Sequence, residues 1–442
     1  METSCSPLLD TPSRPSSRRS FLAATAVLPS TLAAAHRVCA ANERVGVAVI
    51  GVNGMGSAHV GILAARSDVD LVALCDLDPS VLARVSEKIP ERKPKLVTDF
   101  REVLANKAVD AVVISTPHHW HMPIALRALA ADKDVYVEKP ASHVFHEGRL
   151  LVQAAARRNR VVQHGTQMRS SEVTVRAAEV LASGILGEIR MAKAWNCQRQ
   201  ENAAPVPDGV PPSGVDYDRW LGPARKRAFN PQRFHRTWRQ FREYGNGDIG
   251  DDGAHDIDLA RWGLGENTHP VRITAHGSSA ALGSGYREYP DNMMVTYEYA
   301  SGKVLLYEDR QWTPYGLHGV DSGNAFYGEK GYMIFSRRGF FQVFLGPKEE
   351  PGPAVGKAGR VGTPLGVHHA NFLECVRSRK ATNATAETAH YSCGLIHLGE
   401  IVYRTGRVLR FDPRTETFPD DREASALLTK DYRRPWTVEG IV

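Results

Sequence analysis

The sequence of 442 residues has little cysteine and no dense block of one charge. Its six cysteines include no Cys-x-x-Cys pair, which excludes a zinc ribbon and a small disulfide framework. Cys375 and Cys393 fall in two predicted helices and could pair, although buried free thiols are the preferred interpretation. The formal net charge is only +6 and is spread along the chain, so a nucleic-acid-binding surface is not indicated.

Internal repeats are also lacking, and low-complexity sequence is confined to the first 40 residues. Apolar residues make up 42% of the chain and charged residues 24%, a composition that excludes a disordered or collagen-like protein. Because a domain commonly contains about 150 residues, the length predicts two domains.

The N-terminal segment has the features of an export signal. Ser17-Arg18-Arg19-Ser20-Phe21-Leu22 places paired arginines before an apolar stretch that continues to Ala35. Small residues at Ala33 and Ala35 suit cleavage by signal peptidase. The apolar stretch would form ~22 Å of helix, too short for a hydrocarbon core of ~30 Å, so we do not expect it to span a membrane. We predict that residues 1–40 are a disordered twin-arginine signal segment and that the protein is exported, for example to the periplasm.

Residues 43–165 alternate short β-branched runs with helical patterns, which predicts a parallel sheet covered on both faces. Runs without polar residues, such as Val112-Val113-Ile114, are typical of strands buried on both sides. The predicted strands are 45–50, 69–75, 109–115, 134–137 and 161–163. The predicted helices lie near 55–66, 79–88, 119–131 and 146–158. This order predicts a Rossmann-type nucleotide-binding domain.

The loop after the first predicted strand matches a dinucleotide-binding fingerprint. Gly51 and Gly56 take the first and third glycine positions of G-x-G-x-x-G, and Asn53 replaces the second. We expect this change to be tolerated because asparagine adopts left-handed backbone more readily than most residues, and Gly54 adds freedom. The loop N–H groups and the dipole of the following helix would hold a pyrophosphate. The predicted phosphate-binding residues are Gly51, Asn53, Gly54, Met55 and Gly56.

An acidic residue at the end of the second predicted strand indicates which dinucleotide binds. Asp76 lies twenty residues after Gly56, where a carboxylate accepts hydrogen bonds from the adenosine ribose and repels a 2′-phosphate. Asp78 is an alternative for this role, but its position before Pro79 is typical of a helix N-cap. The predicted cofactor is therefore NAD, with NADP less favoured.

Polar residues follow two further predicted strands, at the edge where ligands of parallel α/β sheets collect. These segments are Ser115-Thr116-Pro117-His118-His119-Trp120-His121 and Glu138-Lys139-Pro140. The three histidines fall on different faces of a predicted helix, and no nearby cysteine or acid completes a ligand shell. We therefore predict no metal site.

With Gly250-Asp251-Asp252-Gly253-Ala254-His255-Asp256-Ile257-Asp258, these segments resemble the motifs of the Gfo/Idh/MocA oxidoreductase family, which includes glucose–fructose oxidoreductase and inositol dehydrogenase. The resemblance covers about residues 43–435. It implies a substrate that is a sugar or polyol, and homo-oligomers built through a C-terminal sheet. It also implies that Lys139 and His121 lie beside the nicotinamide. The cofactor-binding residues that it adds are Thr116, Pro117, His121, Glu138 and Lys139.

The pattern changes in the second half of the chain. Runs that alternate apolar and polar residues, as antiparallel strands with unequal faces do, occur at 187–196, 271–279, 292–300 and 303–311. Helices are predicted over 366–380 and 386–407, and they resemble family helices that pack back on the nucleotide domain. The predicted fold class is α/β, with a Rossmann-type parallel sheet domain at 43–165, a C-terminal α/β domain with a mostly antiparallel open sheet at 166–410, and an extended tail at 411–442.

Asp251 and His255 are four residues apart in a predicted helix, so both should project from one face. Oxidation of a carbinol requires a group that takes the hydroxyl proton, and imidazole suits this work because its pKa lies near neutrality. A carboxylate could fix the imidazole tautomer and stabilise its charged form. The family resemblance adds Lys139, whose ammonium would stabilise a developing alkoxide. The predicted catalytic residues are Lys139, Asp251 and His255.

Four other residues are candidates for substrate contact. Gln167 and Arg169 lie where the two predicted domains join and could either bind substrate hydroxyls or link the domains. Asp258 could contact substrate or cap a loop. The irregular stretch 200–245 contains Trp238 among many aromatic residues, which predicts an ordered lid or wall, although ordinary packing of each ring is as compatible.

Three functions agree with these features. The first is an NAD-dependent oxidoreductase acting on a secondary alcohol or ketone of a sugar, glycoside or polyol. The second is a redox-neutral enzyme that cleaves glycosides by oxidation, elimination, hydration and reduction. The third is a non-catalytic NAD-binding regulator, which the intact Lys139, Asp251 and His255 and the export signal argue against. Because free NAD is scarce outside the cytoplasm, we expect NAD to stay bound and to be recycled within the enzyme.

Overall fold

The computed structural model describes residues 44–200, 205–235, 237–281, 287–357 and 362–441. The predicted export signal lies outside the described residues. Within those ranges, no helix is both long and apolar enough to cross a lipid bilayer. The described cysteines are free and buried, as expected for Cys375 and Cys393.

Continuous apolar runs of the first half form a parallel six-stranded sheet. Strands β1 to β6 span Val45–Ile50, Val69–Cys75, Lys95–Val97, Ala111–Ile114, Asp134–Val137 and Val162–His164. Their order is β3-β2-β1-β4-β5-β6, and each neighbouring pair is parallel. Alternate residues of β1 enter different hydrophobic clusters, Val47 and Val49 on one face and Ala48 and Ile50 on the other. Burial on both faces explains why this strand has no polar alternation.

Five helices connect these strands. Helices α1 to α5 span Met55–Ala64, Pro79–Ser86, Phe100–Ala105, His118–Ala130 and Phe145–Arg158. Asp78 caps α2 and Asp99 caps α3, each accepting a hydrogen bond from a backbone N–H of the first turn. The sequence pattern does not reveal β3 or α3, since they have only three and six residues.

The second half builds a nine-stranded sheet in the order β14-β13-β12-β11-β7-β10-β9-β8-β15. Strands β7 to β15 span Ile189–Asn196, Arg272–Ser278, Asn292–Glu298, Val304–Arg310, Ser322–Gly328, Gly331–Ser336, Phe340–Leu345, Glu350–Val355 and Leu409–Arg410. The β7–β10 pair is parallel, and the other neighbouring pairs of these described strands are antiparallel. The mostly antiparallel sheet implied by the family resemblance is therefore confirmed.

The sequence pattern does not reveal β11 to β14 for identifiable reasons. Strand β11 is buried from Ser322 through Phe326, so its faces do not alternate, and it contains a glycine and an asparagine. Strand β14 contains Pro351 and Pro353, which suit the edge of a sheet but not a central strand.

The remaining helices bring the two sheets together around one site. Helices α6 to α12 span Glu172–Ala182, Tyr217–Leu221, Gly247–Gly250, Gly253–Leu264, Leu365–Ser378, Ala386–Thr405 and Arg422–Ala426. Short 3-10 helices span Gln167–Ser170 and Thr237–Gln240. Helix α10 packs on the parallel sheet through Phe372 and Leu373, and α11 packs on α5. The tail returns to the first half, where Trp436 joins the cluster of Trp120.

Candidate active site

One cavity of about 760 Å³ lies at the carboxyl ends of the parallel strands, the edge at which ligands of such sheets bind. One side comes from the loops after β1, β2, β4 and β5, and the other from α9, the residues before it and the turn after β12. The sequence-predicted residues that line it are Gly51, Asn53, Gly54, Met55, Asp76, Thr116, Pro117, His121, Glu138, Lys139, Gln167, Trp238, Asp251 and His255.

The loop after β1 requires glycine at its ends. A Cβ at Gly51 would lie 2.6 Å from the Ser115 carbonyl oxygen, and a Cβ at Gly56 would lie 1.9 Å from the Gly51 oxygen. Gly54, with a φ of 49°, precedes α1 and faces open space. The expectation that Asn53 adopts left-handed backbone is wrong, because the positive φ angles belong to Gly51 and Gly54. Open space at the start of a helix fits a pyrophosphate.

Asp76 lies at the end of β2, where the ribose-binding acid is predicted. Its carboxylate accepts hydrogen bonds from the backbone N–H groups of Val52, at 2.9 Å, and Asp78, at 3.1 Å. Burial raises the pKa of Asp76. The alternative residue, Asp78, accepts a hydrogen bond from the Ser80 N–H at 2.9 Å and caps α2 as predicted. Asp76 is therefore the better placed of the two for the ribose hydroxyls.

We expect Asp76→Ala to weaken NAD binding by about tenfold or more and NADP binding much less, because only NAD offers a free 2′-hydroxyl to that carboxylate. Titration calorimetry with both cofactors, on protein freed of nucleotide, measures the effect. Asp99→Asn, which keeps a capping side chain at the start of α3 and does not line the cavity, is the matched control. Equal losses of affinity for NAD and NADP in Asp76→Ala would mean that another residue discriminates between the two cofactors.

The loops after β4 and β5 are joined by His121. Its Nδ1 lies 2.8 Å from the Pro140 oxygen, and its Nε2 lies 2.8 Å from the Thr116 oxygen. Burial lowers the pKa of His121, and a neutral ring donates only one of these hydrogen bonds. Within the ranges that the structure describes, the buried Thr116 hydroxyl has no hydrogen-bond partner, which fits a site that a ligand completes.

Lys139 and Asp251 form an ion pair in the cavity. Lys139 Nζ lies 2.5 Å from Asp251 Oδ1 and 2.8 Å from the Asp251 backbone oxygen. Arg239 Nε lies 2.9 Å from Asp251 Oδ2. Burial opposes ionisation of this carboxyl, but the charges of Lys139 and Arg239 lower the pKa of Asp251.

Two expectations about Asp251 are wrong. The residue is not part of the helix that carries His255, because it follows α8 and α9 begins only at Gly253. Its carboxylate pairs with Lys139 and Arg239 and not with the imidazole, the role that the sequence analysis considered for it. Asp251 therefore holds the ammonium of Lys139 in place.

His255 is buried in the first turn of α9, and its Nδ1 has no hydrogen-bond partner among the described residues. Burial lowers the pKa of His255 well below its ordinary value, the cations of Arg337 and Lys139 lower it further, and Asp251 opposes them. The imidazole is therefore neutral at pH 7 and able to accept a proton.

The other predicted substrate residues differ in position. Gln167 lines the cavity, and no described residue forms a hydrogen bond with its buried Oε1. Trp238 also lines it, but its ring is covered by the guanidinium of Arg239, 4.3 Å from the ring centre. Arg169 and Asp258 form a buried ion pair at 2.7 Å and do not line the cavity. For Arg169, the alternative of a link between the domains agrees with this ion pair. Asp258, for which capping of a loop was the alternative, instead bonds the side chains of Arg169 and Ser392.

The histidines of α4 that precede His121 are engaged within the protein. His118 Nδ1 lies 3.1 Å from the Asn246 side-chain oxygen, and His119 Nε2 lies 3.1 Å from the Trp220 backbone oxygen. Away from the cavity, the side chains of His269, His390 and Glu416 converge in the described part of the chain, but Arg149 already pairs with that carboxylate.

The stretch from 205 to 245 covers the cavity beside Asp76. Its side chains form an apolar cluster of their own: Trp220, Leu221, Ala224, Phe229, Phe234, Trp238, Phe241 and Tyr244. His235 Nε2 lies 2.9 Å from Asp78 Oδ2, and its Nδ1 lies 3.4 Å from the Asn53 amide nitrogen. Arg219 donates a hydrogen bond to the Thr98 oxygen at 3.3 Å. An ordered wall, one of the two interpretations of this stretch, agrees with these contacts.

Comparison with known families matches both halves of the chain. Residues 45–166 match an oxidoreductase family with an NAD-binding Rossmann fold, and residues 177–317 and 363–438 match its C-terminal alpha/beta domain. The chain belongs to the Gfo/Idh/MocA family. The predictions of the family, the α/β fold class, an oxidoreductase and NAD as cofactor are thereby confirmed.

Individual relatives in the Gfo/Idh/MocA family differ in their described activities. Inositol 2-dehydrogenase of Rubrobacter xylanophilus is 25% identical over 304 residues, which cover 68% of this chain and 72% of that protein. Glycosyl hydrolase family 109 protein 1 of Shewanella sp. (strain ANA-3) is 31% identical over 161 residues. That match covers 34% of this chain and 35% of the relative, so it spans about a third of each.

Solved structures show the same fold. Levoglucosan dehydrogenase in complex with NADH and levoglucosan aligns with a TM-score of 0.66 at 19% identity, covering 83% of this chain and 99% of the other. Aldose-aldose oxidoreductase from Caulobacter crescentus aligns with a TM-score of 0.64 at 19% identity, covering 83% and 100%.

Three residues at this Gfo/Idh/MocA site escape the sequence analysis. Arg239 pairs with Asp251, Arg337 lies beside His255, and His235 contacts Asp78 across the cavity. None of the three belongs to a motif, and His235 and Arg239 lie in an irregular stretch whose aromatic content was its only signal.

Proposed function

We propose that the protein oxidises a secondary alcohol of a carbohydrate, or reduces the corresponding ketone, with NAD. The observation that carries the proposal is that Lys139 and His255 line the same cavity as the Gly51–Gly56 loop and Asp76. Bound NAD would exchange a hydride with the carbinol carbon. Inositol, levoglucosan and aldose sugars, which are named for similar proteins, are all polyhydroxylated.

The protein's own residues would accept the hydroxyl proton and stabilise the charge on the reacting oxygen. Neutral His255 would accept the proton of the reacting hydroxyl. The ammonium of Lys139 would stabilise the negative charge that develops on the same oxygen. Asp251 fixes that ammonium through the ion pair and through its backbone oxygen. In the direction of ketone reduction, the same groups return the proton.

We further propose that NAD remains bound through the reaction and returns to its starting state. The contact of His235 with Asp78 supports this retention. The stretch from 205 to 245, which carries His235 and covers the cavity, must open before a dinucleotide beside Asp76 can leave. The arginine pair Arg18-Arg19 supports export by the twin-arginine route, which carries folded proteins. A protein exported with its cofactor would find little free NAD to replace a loss.

A redox-neutral cleavage of glycosides is the second candidate. It is favoured by the 31% identity to a glycosyl hydrolase family 109 protein over 161 residues. Transient oxidation of a carbinol would acidify the neighbouring C–H, elimination would expel the aglycone, and hydration followed by reduction would restore the sugar. Such a cycle also leaves the bound cofactor unchanged.

One purification tests both candidates. We expect protein isolated without added cofactor to carry about one NAD per chain, with a dissociation constant at or below ~1 nM. We expect it to convert sugars or glycosides without releasing NADH. His235→Ala should speed NAD loss by about tenfold or more, because the variant removes the contact that closes the cover.

Mass spectrometry of released nucleotide and of the products measures these effects. Glycoside cleavage without added NAD would support the second candidate, and an oxidised sugar formed together with a reduced carbonyl compound would support the first. Empty protein that needs millimolar NAD and releases NADH would contradict retention. Failure to convert any polyhydroxylated compound would contradict the function.

A further inference from the structure

A chain of buried polar groups leads away from the cavity behind Lys139. Glu138 directly follows β5, and its Oε1 lies 3.0 Å from His59 Nε2. His59 belongs to α1, and its Nδ1 lies 2.8 Å from Nε2 of His369 in α10. Both histidines are 0% exposed. Residues from three distant parts of the sequence therefore meet in one hydrogen-bonded chain.

The protons of this chain have a consistent arrangement. Burial lowers the pKa of His369 well below its ordinary value, so the ring is neutral, and its buried Nδ1 has no hydrogen-bond partner in the described part of the chain. The His369 proton therefore sits on Nε2 and is donated to His59 Nδ1. His59 then donates from Nε2 to Glu138. The carboxylate is the final acceptor of the chain.

The surroundings of Glu138 favour its ionised form. Its Oε2 accepts a hydrogen bond from the Lys139 backbone N–H at 3.1 Å. A Cβ at Gly165 would lie 2.9 Å from Oε1, so glycine there makes room for the carboxylate. Burial opposes ionisation, but the hydrogen bond from His59 and the charge of Lys139 lower the pKa of Glu138.

The strand order places Glu138 at the reacting end of the cavity. Asp76 follows β2 and the glycine loop follows β1, whereas Glu138 follows β5, beyond β4. A dinucleotide with its ribose at Asp76 and its pyrophosphate at the loop must extend toward β4 and β5. Lys139 and His255 line the cavity together with Glu138.

We propose that Glu138, held by His59 and His369, biases the bound cofactor toward its oxidised form. The oxidised nicotinamide carries a positive charge that the reduced ring lacks, so a fixed carboxylate nearby stabilises the oxidised form selectively. The inference rests on the proposed function, since it needs NAD in this cavity. His59 and His369 are positioning residues that act through Glu138.

The relative affinity for the two cofactor forms tests the proposal without any substrate. Purified protein is equilibrated with mixtures of NAD⁺ and NADH, free nucleotide is removed, and the bound forms are quantified by mass spectrometry. We expect Glu138→Gln to shift the NAD⁺-to-NADH affinity ratio by about tenfold toward NADH, because the amide keeps the shape and removes the charge.

The histidines provide a second set of variants. His59→Leu and His369→Leu should shift the ratio in the same direction by a smaller factor, while His59→Gln should restore part of it because its amide donates to Glu138. His390→Leu is the matched control. His390 is also buried and bonds a carboxylate, Glu416 at 2.7 Å, but it does not line the cavity.

The pH dependence separates the electrostatic role from a structural one. The ionisable groups that face Glu138 are His59, His121, Tyr136, Lys139, His164 and His368. Burial lowers the pKa values of His164 and His368 to about 4, so both are neutral above about pH 6. Neither of these two histidines should therefore change the wild-type ratio between about pH 6 and 8. In His59→Leu the pKa of Glu138 rises, so preference for NAD⁺ should fall as the pH is lowered.

The outcomes are separable. An unchanged affinity ratio in Glu138→Gln, with both nucleotides bound, overturns this inference and leaves the proposed function intact. Protein that binds neither nucleotide overturns both. In a further outcome, the histidine variants show a lowered melting temperature and an unchanged, pH-independent affinity ratio. That result would mean that the hydrogen-bonded histidines only stabilise the fold, and it also overturns the inference.

Discussion

Lys139→Met is expected to lower turnover by about 10²-fold or more while NAD stays bound. Methionine keeps most of the apolar stem and removes the ammonium that pairs with Asp251 at 2.5 Å. The charge on the substrate oxygen develops in the transition state, so the loss should fall on kcat more than on KM. Steady-state kinetics, together with the nucleotide content of each preparation, measures both.

Lys193→Met is the control for this substitution. Lys193 also forms an ion pair with a carboxylate, Glu308 at 2.7 Å, but it lies in β7 of the second sheet and does not line the cavity. We expect near-normal kcat in this variant. Near-normal kcat in Lys139→Met itself, with NAD bound, would mean that the Lys139 ammonium takes no part in the reaction.

His255→Ala is expected to lower turnover by about 10²-fold, because the variant has no group to accept the hydroxyl proton. The wild-type profile of kcat/KM against pH carries the signature of this residue. Burial and the cations of Arg337 and Lys139 lower the pKa of His255, so the neutral, proton-accepting form persists below pH 6.5. Activity should therefore stay level through pH 6.5 and fall only at more acidic pH.

Arg337→Met provides the matching perturbation of that profile. Among the charges around His255, that of Arg337 lowers its pKa most, and the variant removes this charge. The pKa of His255 should therefore rise, and activity should begin to fall at a higher pH. His276→Ala, an exposed histidine in β8, should leave the profile unchanged. A wild-type profile that already falls at pH 6.5, with no shift in Arg337→Met, would assign the proton to another group.

The sequence alone predicts the nucleotide-binding half and its motifs. Strand β1, the Gly51–Gly56 loop and α1 are consecutive in the chain, so their spacing is set by covalent connection, and Asp76 is found by counting to the end of the next strand. Burial of β1 on both faces likewise leaves a local signal, a run without polar residues. Predictions that depended on such local signals agree with the structure.

The wrong predictions concern the backbone conformation of a residue or the partner of its side chain, which no local sequence signal specifies. Asp251 was assigned to a helix and to His255 by its spacing, but the break between α8 and α9 turns its carboxylate toward Lys139. Asn53 was assigned a left-handed backbone that the neighbouring glycines supply instead.

The sequence by itself determined the fold class, the cofactor and the motif residues, because each is encoded by neighbouring positions. Only the tertiary structure decided which side chains act together: Arg337 beside His255, His235 on Asp78, and His369 behind Glu138. Arg337 and His235 line the cavity, whereas His369 lies behind Glu138. All three belong to the second half of the chain, and they take these positions only when its sheet and helices pack against the first half. Periodicity and spacing describe a residue's own element, whereas the partner that a buried charge meets depends on packing between elements distant in sequence.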